Sequence, residues 1–175
     1  MQSVELLVKL KIPDVTALTA SGALRRRMGY ADILRSVVRA DYYRLELDAP
    51  DGDAALALAR EVAEKTNLFV NPNKHVYELH LGRHTAPASR PGAHTVQVLI
   101  TDPNDGSAQG AQAALQGRLG YGTAVAGLLK GILWTLEITA ETPEEARRIA
   151  EDIAVTRARQ RGLLANPHFQ ECMVS

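Results

Sequence analysis

The chain holds a single cysteine, Cys172, in 175 residues. One cysteine closes no internal disulfide and builds no cysteine-rich zinc site. Aromatic residues make up only 5% of the chain, with one tryptophan, too few for a base-stacking surface. An excess of either charge is also missing, since 20 basic side chains balance 20 acidic ones. The balance is local as well: residues 1–86 hold 12 basic and 11 acidic groups, and residues 87–175 hold 8 and 9. A nucleic-acid binder usually carries a basic excess to neutralise phosphates, so that class is excluded. Long hydrophobic runs are absent too. The N-terminal stretch is interrupted by Glu5, Lys9 and Lys11 and has no signal-peptide core. The longest apolar stretch, 124–136, is shorter than the roughly 20 residues of a membrane helix and contains Lys130. The expectation is a cytoplasmic protein with no membrane and no nucleic acid among its partners.

What is present is apolar material in a repeated order. Hydrophobic residues make up 46% of the chain, enough for a sizeable core. Shifted by 91 positions, the sequence falls onto itself. Gly29-Tyr30 lands on Gly120-Tyr121, and Leu45-Glu46-Leu47 lands on Leu136-Glu137-Ile138. Ala55, Ala59 and Ala63 land on Ala146, Ala150 and Ala154. The offset then becomes 95, because Asn71-Pro72 matches Asn166-Pro167. Four extra residues are about one helical turn, so the second copy of that helix is expected to be longer at its C-terminal end. A Pro-, Gly- and Ser-rich stretch separates the copies. The expected organisation is repeat 1–82, linker 83–93 and repeat 94–175.

Each copy opens with alternating apolar residues: Val4, Leu6, Val8 and Leu10, then Val96, Val98 and Ile100. A turn and a helix follow, with the stripe Ala17, Ala20, Leu24 and Met28 repeated as Ala108, Ala111, Leu115 and Leu119. Gly29 and Gly120 are placed to end these helices in a left-handed conformation. Two strands are expected next, about 33–39 and 42–47, then 124–129 and 132–139. Arg39-Ala40-Asp41 and Lys130-Gly131 would make the hairpin turns. A second helix begins near Asp53 or Pro143, and a last strand occupies 76–81 or 169–174. The order β-α-β-β-α-β, twice, is an α+β, ferredoxin-like pattern with the helices on one face of an antiparallel sheet. The uncovered sheet face needs a partner, and the other copy supplies one, giving an internal pseudo-dimer.

These residues carry a family resemblance. Copy 2 shows Asp102-Pro103 and Gly106, then Leu119-Gly120-Tyr121, Lys130-Gly131, Leu136-Glu137-Ile138, Glu144-Glu145 and Leu164-Ala165-Asn166-Pro167. Copy 1 shows Met28-Gly29-Tyr30, Val38-Arg39, Leu45-Glu46-Leu47 and Val70-Asn71-Pro72. In this order they resemble PurS, the small subunit of phosphoribosylformylglycinamidine (FGAM) synthase. The family is usually a single copy; this chain resembles two copies fused, with Asp41 where an Arg-x-Gly turn would place glycine. The resemblance implies a non-catalytic assembly subunit in de novo purine biosynthesis. It implies glutaminase (PurQ-like) and ATP-dependent synthetase (PurL-like) subunits as partners, with possible self-association, and support of ammonia transfer between them. It implies that ATP, Mg and glutamine are used by the complex and that this chain binds no cofactor of its own.

The chemical inventory agrees. Cys172 lies in an expected strand without a His–acid pattern beside it, so an ordinary half-buried cysteine is the reading preferred over a nucleophile. His80 and His84 are four apart but run from a strand into the linker, so they are read as solvent-exposed rather than as metal ligands. Residues 102–106 alternate oxygen side chains, yet no closing glutamate follows, and a turn capping the helix is preferred to a calcium loop. No catalytic, cofactor or metal residue is assigned. The candidates for partner contact are Arg27 and Arg118 at the helix ends, Arg39 and Lys130 in the expected hairpins, and Tyr30 and Tyr121 after the helix-ending glycines. The alternative function is a tandem small-molecule-sensing module, binding near Asp14 or 102–106, because this fold also hosts such domains.

Overall fold

The computed structural model of the chain describes residues 1–155, 164–165 and 170–175. Its elements are β1 (Gln2–Leu10), α1 (Val15–Arg27), β2 (Leu34–Leu47), α2 (Gly52–Lys65) and β3 (His75–Leu81). The second half supplies β4 (His94–Thr101), α3 (Ser107–Gln116), β5 (Val125–Ile138), α4 (Pro143–Ala154) and β6 (Glu171–Val174). The result is α+β with antiparallel pairing, as two ferredoxin-like repeats require. The last helix is not lengthened as expected: α4 ends at Ala154, where Val155 turns extended, and has 12 residues against 14 in α2. The Asn166-Pro167 match and Phe169 lie outside the described residues.

The two hairpins are not there. β2 and β5 are single strands of 14 residues each, running straight through Arg39 and Lys130. A tight hairpin needs residues at positive φ. Arg39, Ala40 and Asp41 include no glycine, and Gly131 is not among the positive-φ glycines. The β-branched and aromatic residues on both sides of Arg39, Val37, Val38, Tyr42 and Tyr43, instead favour continued strand.

These long strands decide which parts pack together. Two compact units result, and each draws on both repeats: 1–12, 40–85 and 104–131 form one, while 13–39, 86–103 and 132–175 form the other. In the first unit β1 lies between β3 and the C-terminal half of β2, with Leu6 opposite both Tyr43 and Leu79. The N-terminal half of β5 follows β2 in strand order, and Asp48 N–H donates to Ala124 C=O at 2.9 Å. Val4, Leu6, Val8, Tyr43, Leu45 and Leu47 pack with Ala55, Ala59, Val62 and Ala63 of α2. They also pack with Leu115 of α3, a helix from the second repeat. Both helices therefore lie on one face of the sheet.

The second unit repeats the plan with the roles exchanged. β4 pairs with β6, placing Val98 opposite Val174 and Ile100 opposite Cys172. The N-terminal half of β2 joins β5, where Thr139 N–H donates to Ile33 C=O at 2.8 Å. The core combines Val96, Val98, Ile100, Trp134, Leu136 and Ile138 with Ala146, Ala150, Ile153 and Ala154 of α4. Its remaining wall is Ala17, Ala20 and Leu24 of α1, from the first repeat. Each unit is thus a ferredoxin-like α+β fold whose first helix, and the strand after it, come from the other copy. Leu24 and Leu115 have no exposed surface, and burying each contributes roughly 1.5–3 kcal/mol.

Among the described residues, no helix is long and apolar enough to cross a membrane.

Candidate partner interface

The six candidate residues sort into two groups of three. Arg27, Tyr30 and Arg39 belong to the second unit, and Arg118, Tyr121 and Lys130 to the first. Each trio is therefore set against the other copy's sheet, and the two trios occupy equivalent places.

Both first helices end in the same way. Gly29 (φ 81°) and Gly120 (φ 79°) reverse the chain in the left-handed region that glycine alone adopts readily. The N–H of Tyr30 then closes on the carbonyl of Leu24 at 3.2 Å, and that of Tyr121 on the carbonyl of Leu115 at 3.0 Å. The Tyr30 ring packs half-buried against the second unit's core and the Tyr121 ring against the first unit's. Burial pushes the Tyr121 hydroxyl above its ordinary pKa. These tyrosines seal helix ends. Arg27 and Arg118 lie beside them, exposed and without a partner among the described residues.

Arg39 and Lys130 are not turn residues but strand residues that hold helix beginnings. Asp14 caps α1, accepting from the N–H of Thr16 and of Ala17 at 2.8 and 3.1 Å. Arg39 Nη1 lies 3.4 Å from the same carboxylate. The second copy reproduces this with different residues. Asp105 accepts from Ser107 N–H and Oγ, and Lys130 Nζ lies 3.4 Å from its carboxylate. The Ser107 hydrogen bonds hold the Asp105 carboxyl below its usual pKa. Residues 102–106 therefore lead into a helix: Gly106 is its N-cap and Asp105 holds its first residue, Ser107. A cation at this position neutralises the cap rather than reaching outward.

The last turn of each first helix also covers the start of the long strand. Arg25 Nη2 donates to the Arg35 carbonyl. In the second copy Gln116 Nε2 donates to the Val125 carbonyl at 2.8 Å, and Gln112 Nε2 to that of Ala126 at 2.9 Å. Side chains thus occupy backbone acceptors of a strand, which blunts its capacity to recruit another strand.

One polar cluster was not legible in the sequence. On the face of the first unit turned away from its helices, Glu5 is almost fully buried. It accepts from Tyr42 Oη at 2.7 Å and from the backbone N–H of His84 at 2.7 Å. Burial and that carboxylate hold the Tyr42 hydroxyl proton well above the ordinary phenol range. His80 sits opposite Glu5 in the ladder, and its ring is 4.3 Å from that of His84. Burial, then the charge of His80, pulls the His84 pKa down. Lys9 donates to Glu78 at 2.8 Å and holds that carboxyl low. The two histidines are half-buried with their rings tilted against each other at 54°, not the exposed residues expected. Their packing comes from the chain folding back over the sheet after Gly82, whose φ of 69° turns it. In the second unit Gln97 stands where Glu5 does, one residue after the first core valine, so the cluster belongs to one copy.

Among the described residues, no group of three or more His, Cys, Asp or Glu could hold a metal ion. Cys172 is half-buried, and burial raises its thiol pKa, which disfavours the reactive thiolate. Two open depressions lie in the second unit, of about 440 and 580 Å³. Their linings meet at Arg147 and Val174 or Ser175, and neither includes Asp14 or any of 102–106, where the sensor alternative would bind.

Residues 3–83, the first repeat, match the family model of PurS, phosphoribosylformylglycinamidine (FGAM) synthase. Across that span the chain is similar to PurS. The PurS match supports a role in FGAM synthase, in purine biosynthesis. Residues 84–175 lie beyond the matched span, and their likeness to the first repeat rests on the internal sequence repeat and on the matching glycine and ion-pair geometry. No curated protein matches the chain.

Proposed function

We propose that this chain is a non-catalytic assembly subunit of FGAM synthase, joining the glutaminase and the ATP-dependent synthetase subunits and supporting ammonia transfer between them. The observation that carries the reading is the PurS match over the first repeat. The placement of polar groups supports it. The charged pairs Arg39–Asp14 and Lys130–Asp105 are occupied with capping helices, and the buried Glu5 is satisfied by Tyr42 and His84. In this reading ATP, Mg and glutamine are used by the partner subunits, and Arg27 and Arg118, exposed at equivalent helix ends, are available for docking. The test is reconstitution. The chain, mixed with purified glutaminase and synthetase subunits, glutamine and nucleotide, should comigrate with them and raise glutamine-dependent activity. Failure to do either would falsify the proposal.

A further inference from the structure

The outward face of α1 differs from that of its counterpart α3 in a way the fold does not require. With 3.6 residues per turn, positions 15, 18, 22 and 26 fall on one side of the helix, opposite the core residues Ala17, Ala20 and Leu24. In α1 this ridge reads Val15, Leu18, Gly22 and Arg26. Val15 is 71% exposed and Leu18 61% exposed. The Arg26 guanidinium folds back over Gly22, so close that a β-carbon there would collide with it. The same positions in the second copy are Gly106, Gln109, Ala113 and Gly117, a ridge with no large apolar group and no charge. Both helices have an aspartate bonded to a backbone N–H of their first turn, are followed by Gly-Tyr and bury a leucine in the same role. The packing of a first helix is therefore met without Val15, Leu18 or Arg26.

We infer that the outward ridge of α1 is a protein-docking surface, for a partner that offers an apolar groove flanked by carboxylates. This rests on the assembly reading above and assigns the contact to one copy only. The physical case has two parts. Exposed Val15 and Leu18 are apolar surface whose removal from water is favourable only when something covers it. The cations lie at the far end of the ridge, about 17 Å along the helix axis from Val15 at 1.5 Å per residue. Arg26 and Arg27 are exposed there, and no carboxylate lies on the ridge. Of the acids flanking the helix, Asp14 is taken by the helix N–H groups and Arg39, and Asp32, five residues beyond Arg27, is exposed and forms no ion pair with Arg26 or Arg27 among the described residues. A second copy of this chain would bring the same uncompensated arginines to the contact. An acidic protein surface matches the charge, and arginine beside apolar residues is the composition favoured at interfaces.

The test uses the full chain with purified glutaminase and synthetase subunits. Leu18→Gln gives α1 the residue found in α3, and Arg26→Glu reverses the ridge charge; Gln109→Glu on α3 is the control. Thermal melts check that each variant folds. The first two should each weaken binding to one of the subunits by about tenfold, the size of a central interface contact. The Arg26→Glu loss should shrink as salt is raised, and Gln109→Glu should bind as the unaltered chain does. Wild-type affinity in both α1 variants overturns the inference while leaving the assembly reading intact. So does a change in the sedimentation of the chain alone, which would make the ridge a contact between copies. If the unaltered chain binds neither subunit, the assembly reading fails and the docking inference falls with it.

Discussion

Replacing Leu24 with alanine should loosen strands that lie far from it in sequence. Leu24 belongs to the first repeat, yet it fills the core built from Val96, Val98, Ile100, Leu136 and α4. It has no exposed surface, and several residues of that core are alanines, Ala146, Ala150 and Ala154, too short to collapse into the gap. A leucine-to-alanine change in such a site costs about 3–4 kcal/mol. For amides that exchange by opening of that core, about 3 kcal/mol is roughly a hundredfold faster exchange. Hydrogen–deuterium exchange read by mass spectrometry resolves where the change falls. Leu24→Ala should speed exchange in 96–100, 134–138 and 146–154, and affect 4–8 and 55–63 much less. Leu115→Ala should give the opposite map, because Leu115 packs with Val4, Leu6 and α2. If the two variants give the same map, or if each loosens its own repeat, the exchange of first helices between copies is wrong.

Two further outcomes follow from the sites described above. Burial holds the folded His84 imidazole below its ordinary pKa of 6.5. The unfolded chain then takes up a proton first, so stability falls as pH drops below about 6.5 and levels off once the folded ring is protonated. His84→Gln should flatten that slope in urea titrations run between about pH 7.5 and 5.5, and an unchanged slope would assign it to other groups. Gly29→Ala and Gly120→Ala place a side chain at φ near +80°, where no atom lies close enough to clash. The cost is conformational alone, about 1–2 kcal/mol each, and should lower the melting temperature by a few degrees, about equally for the two. Unequal losses would show that the two helix ends are not equivalent.

The helices were legible because their signals are local. Ala17, Ala20 and Leu24 are spaced for one buried face, and Pro143 starts α4 where its missing N–H suits the first helical turn. Gly29 and Gly120 declared their backbone conformation through their lack of a side chain. The hairpins were misread because Arg39-Ala40-Asp41 sits between two short apolar runs, and a break in apolar pattern looks the same as a turn. Sequence order also says nothing about which copy's sheet a helix covers, since the stripe on α1 fits either core. Among the candidate residues, Arg27, Tyr30, Arg118 and Tyr121 lie at the ends of α1 and α3, where the glycine signal put them. Arg39 and Lys130 took on a different role because their strands did not turn. Glu5 was invisible as a site because its partners, Tyr42 and His84, are brought to it only by strand pairing and by the chain folding back after Gly82.

The strands that cross between units also bear on inheritance. If the copies were separate chains exchanging first helices, a variant of one would meet its own kind as often as the other, and a specialised ridge would be diluted among mixed pairs. Joined in one polypeptide, a Val15–Leu18 helix is always accompanied by one Gly106–Gln109 helix, in a fixed ratio of one to one. Core positions such as Leu24 and Leu115 answer to the other copy's sheet and are constrained together. Surface positions are released from having to suit both halves of a symmetric pair. A duplicated gene in this arrangement can become lopsided without losing its fold.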